Sequence, residues 1–351
     1  ETGGMKPLEG YDPVFNGDYS KWVRFANSMK LRLALRISSA DPVLAQKKAE
    51  EAVADNGGLI ETPSDNAMCS VGAEPNPYQL VANDWGEIRV NATIASYMNG
   101  YNDPRRAKYF TKSEWKDEEY VGMRRGIVIP SLTTVGGNYG TYVGMRSGIQ
   151  GAKPATYANF SKPKYEKTDP ITIFYCSETA FLRAEGALKG WNMGGTAQHF
   201  YEEGIKLSFS ERGISSNEAE IYIKDTESTP AAFNSPVEPG KCSYVPKTTI
   251  TVSWNEGASD AEKLERIITQ KWIANFPLGF EGWADYRRTG YPEIFPAVDN
   301  LSDCVDSKRQ QRRLRFPKSE KDNNKANVET AIRLLGGSDN EATDLWWAKK
   351  N

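Results

Sequence analysis

Histidine is almost absent from this chain: His199 is the single example in 351 residues. A metal centre built on two or more histidines is therefore excluded, and a Ser-His-Asp triad would have to use this one residue. It falls in AQHFYEEG, the first turn of an amphipathic segment, where a surface or packing role is the simpler one. Cysteine is scarce too. Cys69, Cys176, Cys242 and Cys304 are widely separated and form no CxxC pair, which argues against a zinc site or a thioredoxin-like centre and leaves any disulfide pairing open. No apolar run approaches the roughly 20 residues that a membrane-spanning helix needs. An excess of one charge is also lacking, since 44 basic and 46 acidic residues give a net charge of -2. No field of that kind recruits a polyphosphate backbone, so nucleic acid is not an expected partner. The opening ETGGMKPLEGYDP has no basic stretch followed by an apolar one, so no signal peptide is legible in it.

What is present is a globular composition, with 39% hydrophobic and 26% charged residues. A fold of this size buries roughly three quarters of its unfolded-chain surface. Aromatics reach 11%, with 9 Trp and 17 Tyr, rings that fill cores but also stack on sugars or anchor interfaces.

Local punctuation predicts helical blocks at about 18–57, 177–213, 259–290 and 323–335. Asp18 is a plausible N-cap for a helix whose Trp22, Phe25, Ala26, Met29 and Leu33 share a face. Asp41-Pro42 restarts with a cap and a first-turn proline, Ala45, Ala49 and Ala52 form a small-residue face, and Gly57-Gly58 is the expected stop. Ser177 is the expected cap of a second hairpin carrying Phe181, Ala184 and Leu188, and Thr196 restarts a helix with Ala197, Tyr201, Gly204 and Ile205. That spacing of large and small residues matches a tetratricopeptide helix pair. Ser259 with Glu262 reads as a capping box for a helix that buries Leu264, Ile268 and Trp272 and breaks before Pro277. Between the blocks, 59–83, 126–170 and 225–256 are long irregular segments and the candidate ligand-binding loops.

Several stretches carry a resemblance. EGWADYRRTGYP (281–292), RRLRFPKSE (312–320) and LWW (345–347) close the chain, after FNGDYSKWVRFANSMKLRLALRIS (15–38), ANDWGE (82–87), GYNDPR (100–105) and SETAFLRAEGALKGW (177–191). In that order these resemble the landmarks of the SusD/RagB-like nutrient-binding lipoproteins of Bacteroidetes outer membranes. The resemblance implies an all-α, tetratricopeptide-like helical repeat scaffold with long irregular loops. It also implies a cell-surface lipoprotein that binds oligosaccharide or peptide and works with a SusC-like TonB-dependent transporter. The family begins with a lipid-bearing cysteine and N-terminal helices, whereas this chain opens near the GDxxKW landmark. The expectation is a single SusD-like domain over 1–351 lacking its N-terminal part, with the lipid anchor outside this chain.

The chemistry-bearing residues are read separately. Arg287, Arg288 and Gly290 before Pro292 have the form of a helix stop, and Arg312, Arg313 and Arg315 fit cross-links to carboxylates and carbonyls better than an anion site. Glu178 and Glu185 on one helix, or Asp84 and Glu87 around Trp85, are carboxylate pairs of the kind a glycosidase needs, but nothing separates them from capping and ion pairing. The run GGNYGTYVGMRSGIQG (136–151) lacks the Gly-Lys-Ser/Thr of a phosphate loop. Asp299, Asp303 and Asp306 lack the glycine and bidentate glutamate of a calcium loop.

A ligand site is therefore sought among aromatics of the irregular segments, with hydrogen-bonding neighbours. The candidates are Trp85, Trp115, Tyr120, Tyr139, Tyr142, Tyr244 and Trp254, with Asn83, Asn138 and Arg146 as polar partners. No catalytic residue, metal or cofactor is expected. The function read from the chain is non-catalytic nutrient binding. A tetratricopeptide-like protein-interaction scaffold and a glycoside hydrolase stand as the alternatives.

Overall fold

The computed structural model describes residue 6 and residues 8–114 and 142–348. Helix α1 (Tyr19–Arg36) starts where Asp18 accepts the Ser20 and Lys21 amides, and it presents Leu31 and Leu35 to the core. Helix α2 (Pro42–Val53) is capped by Asp41 and lays Ala45, Ala49 and Ala52, all fully buried, against α1. It ends at Val53, short of Gly57-Gly58. There Asp55 accepts the Gly57 amide, and Gly58, at φ 75°, returns the chain so that Asn27 of α1 can bond its carbonyl.

Helix α3 (Ala92–Gly100) is capped by Asn91 and buried along most of its length. Helices α4 (Cys176–Leu188) and α5 (Ala197–Glu211) form an antiparallel pair, with the first turn of α4 against the last of α5. Phe181 lies over Gly204, where a Cβ would stand 2.8 Å from the ring, so the glycine sets how closely the helices approach. Thr196 caps α5 as the sequence predicts. Ser177 is not the cap of α4. The helix begins one residue earlier, and the Ser177 amide and hydroxyl donate to Glu211 at 3.1 and 2.7 Å, so a carboxylate from the neighbouring helix satisfies the terminus. Burial pushes the Glu211 carboxyl up from its ordinary range, against the hydrogen bonds from Cys176 and Ser177.

Helix α6 (Ser216–Ile223) packs on α5. Helix α7 (Asp260–Ala274) opens with the Ser259/Glu262 capping box and stops before Pro277. Its buried face carries Ile267, Ile268 and Ile273, while Leu264 and Trp272 are only half-buried, because Arg266, Gln270 and Lys271 also turn inward. Helix α8 (Gly279–Thr289) ends on Gly290, at φ 88°, whose amide bonds the Tyr286 carbonyl. Helix α9 (Lys325–Leu335) follows. Among the described residues the sheet is one antiparallel pair, β1 (Ala67–Cys69) with β2 (Ile171–Phe174). The fold is helical and tetratricopeptide-like.

The quoted motifs meet in a buried charge chain. Arg32 of α1 forks onto Glu178 of α4 at 2.9 and 2.6 Å. Lys271 of α7 stands 3.3 Å from Glu178 and 2.8 Å from Asp285 of α8. Arg288 bonds Asp285 at 2.9 Å and forks onto Glu185 at 2.5 and 2.6 Å. Burial alone would raise the Asp285 carboxyl, but Lys271 and Arg288 outweigh it and hold it far below the usual range. A second knot holds Arg105, fully buried, between Asp103, Ser208 and Gln270. The arginines of the C-terminal motifs are also cross-links. Arg287 lies 3.6 Å over the Trp283 ring, Arg312 bonds Asp344 and the Arg287 carbonyl, Arg313 reaches Asp339, and Arg315 reaches Glu341. His199 is on the surface, 3.5 Å from Glu203. All four cysteines are free thiols.

Candidate ligand groove

The segment from Asn76 to Val90 is irregular but firmly tied. Buried Asn76 accepts the Tyr78 and Gln79 amides, and its side chain and main chain donate to the Asp169 and Lys167 carbonyls. A wide helical turn over Leu80–Asp84 follows and presents Trp85, which is 61% exposed. Asn83 donates to the Tyr165 carbonyl at 3.2 Å, and Arg89 to the Tyr157 carbonyl at 3.0 Å. These bonds bring Tyr78 onto Tyr165, stacked at 5.6 Å between centroids and 26° between planes.

The stacked pair is shared by two neighbouring recesses. One, of about 310 Å³, is a mostly apolar groove between Ile88, Pro163, Trp272, Phe276 and Leu278. The other, of about 190 Å³, runs toward Tyr109, Tyr175 and Arg212 and shares Phe276 and Pro277 with the first. Asn275 lines the groove while almost fully buried, and its Oδ1 has no hydrogen-bond partner among the described residues. The Oδ1 of Asn83 and the Oε1 of Gln79, in the segment that carries Trp85, are buried and unpartnered likewise. Burial raises the Tyr165 phenol above its ordinary value. The arrangement offers flat apolar faces beside amide oxygens that lack donors, which suits a ligand with C–H faces and N–H or O–H groups.

Of the expected site residues, Trp85 and Asn83 belong to this segment. Arg146 and Tyr244 come together elsewhere, with the guanidinium 5.1 Å over the ring and donating to the Cys242 and Pro296 carbonyls. Tyr142 is half-buried with Arg106 5.5 Å above it, and Trp254 leans on Tyr201 at 5.3 Å while donating to Glu256. Trp115, Tyr120, Asn138 and Tyr139 lie outside the described residues. Tyr78 and Tyr165 were not among the expected residues, although both fall in the irregular segments. The Asn76-Pro77 cap just before Tyr78 was the available signal of an ordered turn.

The family model for SusD-like proteins, described as SusD and RagB outer membrane lipoprotein, matches residues 2–348. A SusD-like protein of Bacteroides thetaiotaomicron is 46% identical with a TM-score of 0.88, over 99% of this chain and 68% of that one. A SusD homologue of Bacteroides uniformis is 44% identical with a TM-score of 0.88, again over 99% and 68%. A chitin-binding SusD homologue of Flavobacterium johnsoniae is 39% identical with a TM-score of 0.89, over 100% and 68%. No protein of curated function matches. Among the described residues no helix is long and apolar enough to cross a membrane. The match runs nearly end to end, and the chain belongs to the SusD-like family of outer membrane lipoproteins.

Proposed function

We propose that the chain is the ligand-binding part of a lipid-anchored, cell-surface nutrient-binding protein that captures a saccharide in the Tyr78–Tyr165 groove. In this reading it leaves the ligand chemically unchanged and passes it to a TonB-dependent transporter. The observation that carries the reading is the stacked tyrosine pair beside the unpartnered Asn275 acceptor. A buried acceptor without a donor costs about 1–3 kcal/mol, which a ligand N–H or O–H recovers on binding. The chitin-binding relative favours N-acetylated hexose units, whose methyl group suits the apolar wall and whose amide suits Asn275.

Titration calorimetry with chitooligosaccharides, neutral glucans and short peptides tests this. Saturable binding of one saccharide class without product formation is expected, weakened about tenfold by Tyr165→Ala, equivalent to about 1.4 kcal/mol. Binding of peptides alone overturns the saccharide reading. Release of shorter oligosaccharides overturns the non-catalytic one, and a protein with no small ligand at all falls to the scaffold alternative.

A further inference from the structure

A second recess lies away from the tyrosine groove, between the first turns of α7, the stretch 247–250 and the chain after Gly290, with a volume of about 450 Å³. That is within the range of small-ligand sites. Its ionisable lining comprises Glu262, Glu265 and Glu293 against Lys247, Arg266 and Lys308, three charges of each sign. Glu293 is fully engaged: it accepts the Tyr244 hydroxyl at 3.0 Å and the Lys247 and Thr248 amides at 2.8 Å each, which fixes the wall. Glu265 is not. One of its oxygens accepts the Thr248 hydroxyl, and it forms no ion pair among the described residues. Burial, reinforced by Glu293, raises its carboxyl above the ordinary value. Arg266 is 7% exposed, yet its Nε and Nη1 have no hydrogen-bond partner among the described residues, and its Nη2 has only a 3.4 Å contact with Thr251.

A guanidinium short of acceptors one residue from a carboxylate short of donors is an incomplete hydrogen-bond set. Left dry and unpartnered, the Arg266 nitrogens carry a desolvation cost that a ligand acceptor removes, while the half-buried Glu265 has an oxygen left to take a ligand donor. Vicinal hydroxyls offer both, and the balanced charge of the lining favours neither a cation nor an anion. We infer that this recess is a second binding site, for a neutral hydroxyl-bearing unit such as a hexose, held edge-on between Glu265 and Arg266. The inference shares with the proposed function only the ligand class, since it uses none of the groove residues.

Saturation-transfer NMR on the full chain with methyl β-D-glucopyranoside, glucosamine and glucuronate tests it. The neutral glycoside is expected to bind, with its signal kept in Tyr165→Ala and reduced at least fivefold in Arg266→Ala and in Glu265→Gln. Melting temperatures identify an unfolded variant, and Glu265→Gln decides if Arg266→Ala does not fold. An unchanged signal in both recess variants overturns the inference, as does a preference for glucosamine or glucuronate. Loss of the signal in Tyr165→Ala alone assigns binding to the groove, so the proposed function then survives and this inference falls.

Discussion

Replacing Lys271 by methionine tests whether the buried charges act as one unit. Lys271 is 1% exposed and stands between Asp285 at 2.8 Å and Glu178 at 3.3 Å. With an effective dielectric near 20, these separations correspond to attractions of about 6 and about 5 kcal/mol before desolvation. Methionine keeps the length of the side chain but removes the charge, so Asp285 loses one of two cations and Glu178 keeps only Arg32. Losing one member of a buried set costs about 3–5 kcal/mol, and Glu178→Gln is expected to cost a similar amount through Arg32 and Lys271. In Lys271→Met/Glu178→Gln one charge of each sign has gone, so the excess left by either single substitution is cancelled. The double variant is therefore expected to lose at least about 2 kcal/mol less than the sum of its singles. Urea unfolding followed by near-UV circular dichroism measures all four proteins, with equal m-values as the check that the same folded state is compared. Costs that add within about 0.5 kcal/mol refute a coupled network.

Three further outcomes follow from the same structure. Asp285 and Glu178 titrate below their ordinary ranges because nearby cations outweigh burial, so their stabilisation is complete above the unfolded value near pH 4 and lost as pH falls through the folded values. The urea midpoint is expected to start dropping below about pH 5 and to keep falling toward the folded values, less steeply in Lys271→Met; equal slopes would count against the assignment. Gly204→Ala places a methyl group 2.8 Å from the Phe181 ring and is expected to cost about 1–3 kcal/mol in a thermal melt, part of it recovered by Phe181→Leu. Ser259→Ala removes the side-chain half of the α7 capping box and is expected to cost about 1 kcal/mol, readable in the same melt.

Where a structural decision rests on residues within one turn, the sequence carries it. Asp18, Asp41, Thr196 and Ser259 cap the helices they precede, and Gly290 ends α8, because donor and acceptor lie within three or four residues. Ser177 shows the limit. Its residue type marks a helix start, but its partner, Glu211, is 34 positions away and becomes its neighbour only when the hairpin closes. The charge chain is a larger case, since Arg32 and Glu178 are 146 positions apart and Arg288 and Glu185 103. Their types were visible and their pairing was not. For the same reason the groove is not legible in the sequence: Tyr78 and Tyr165 pair only across the fold, and neither stands out singly.

The division of labour between scaffold and groove follows from these contacts. Burying a carboxylate is tolerable only with a cation held beside it, so the charge chain ties α1, α4, α7 and α8 into a fixed relative placement. The groove is walled partly by that block, through Trp272 and Asn275 at the end of α7, and partly by irregular backbone that has no regular ladder of its own. What holds the irregular part is a pair of side-chain amides: Asn76 bonds the 167–169 backbone and Asn83 the Tyr165 carbonyl. A tyrosine pair positioned in this way pays little conformational entropy when a ligand arrives. The ring faces can therefore be varied by substitution at Tyr78 or Tyr165, while the arginines and carboxylates of the charge chain cannot change singly without leaving a buried charge unpaired.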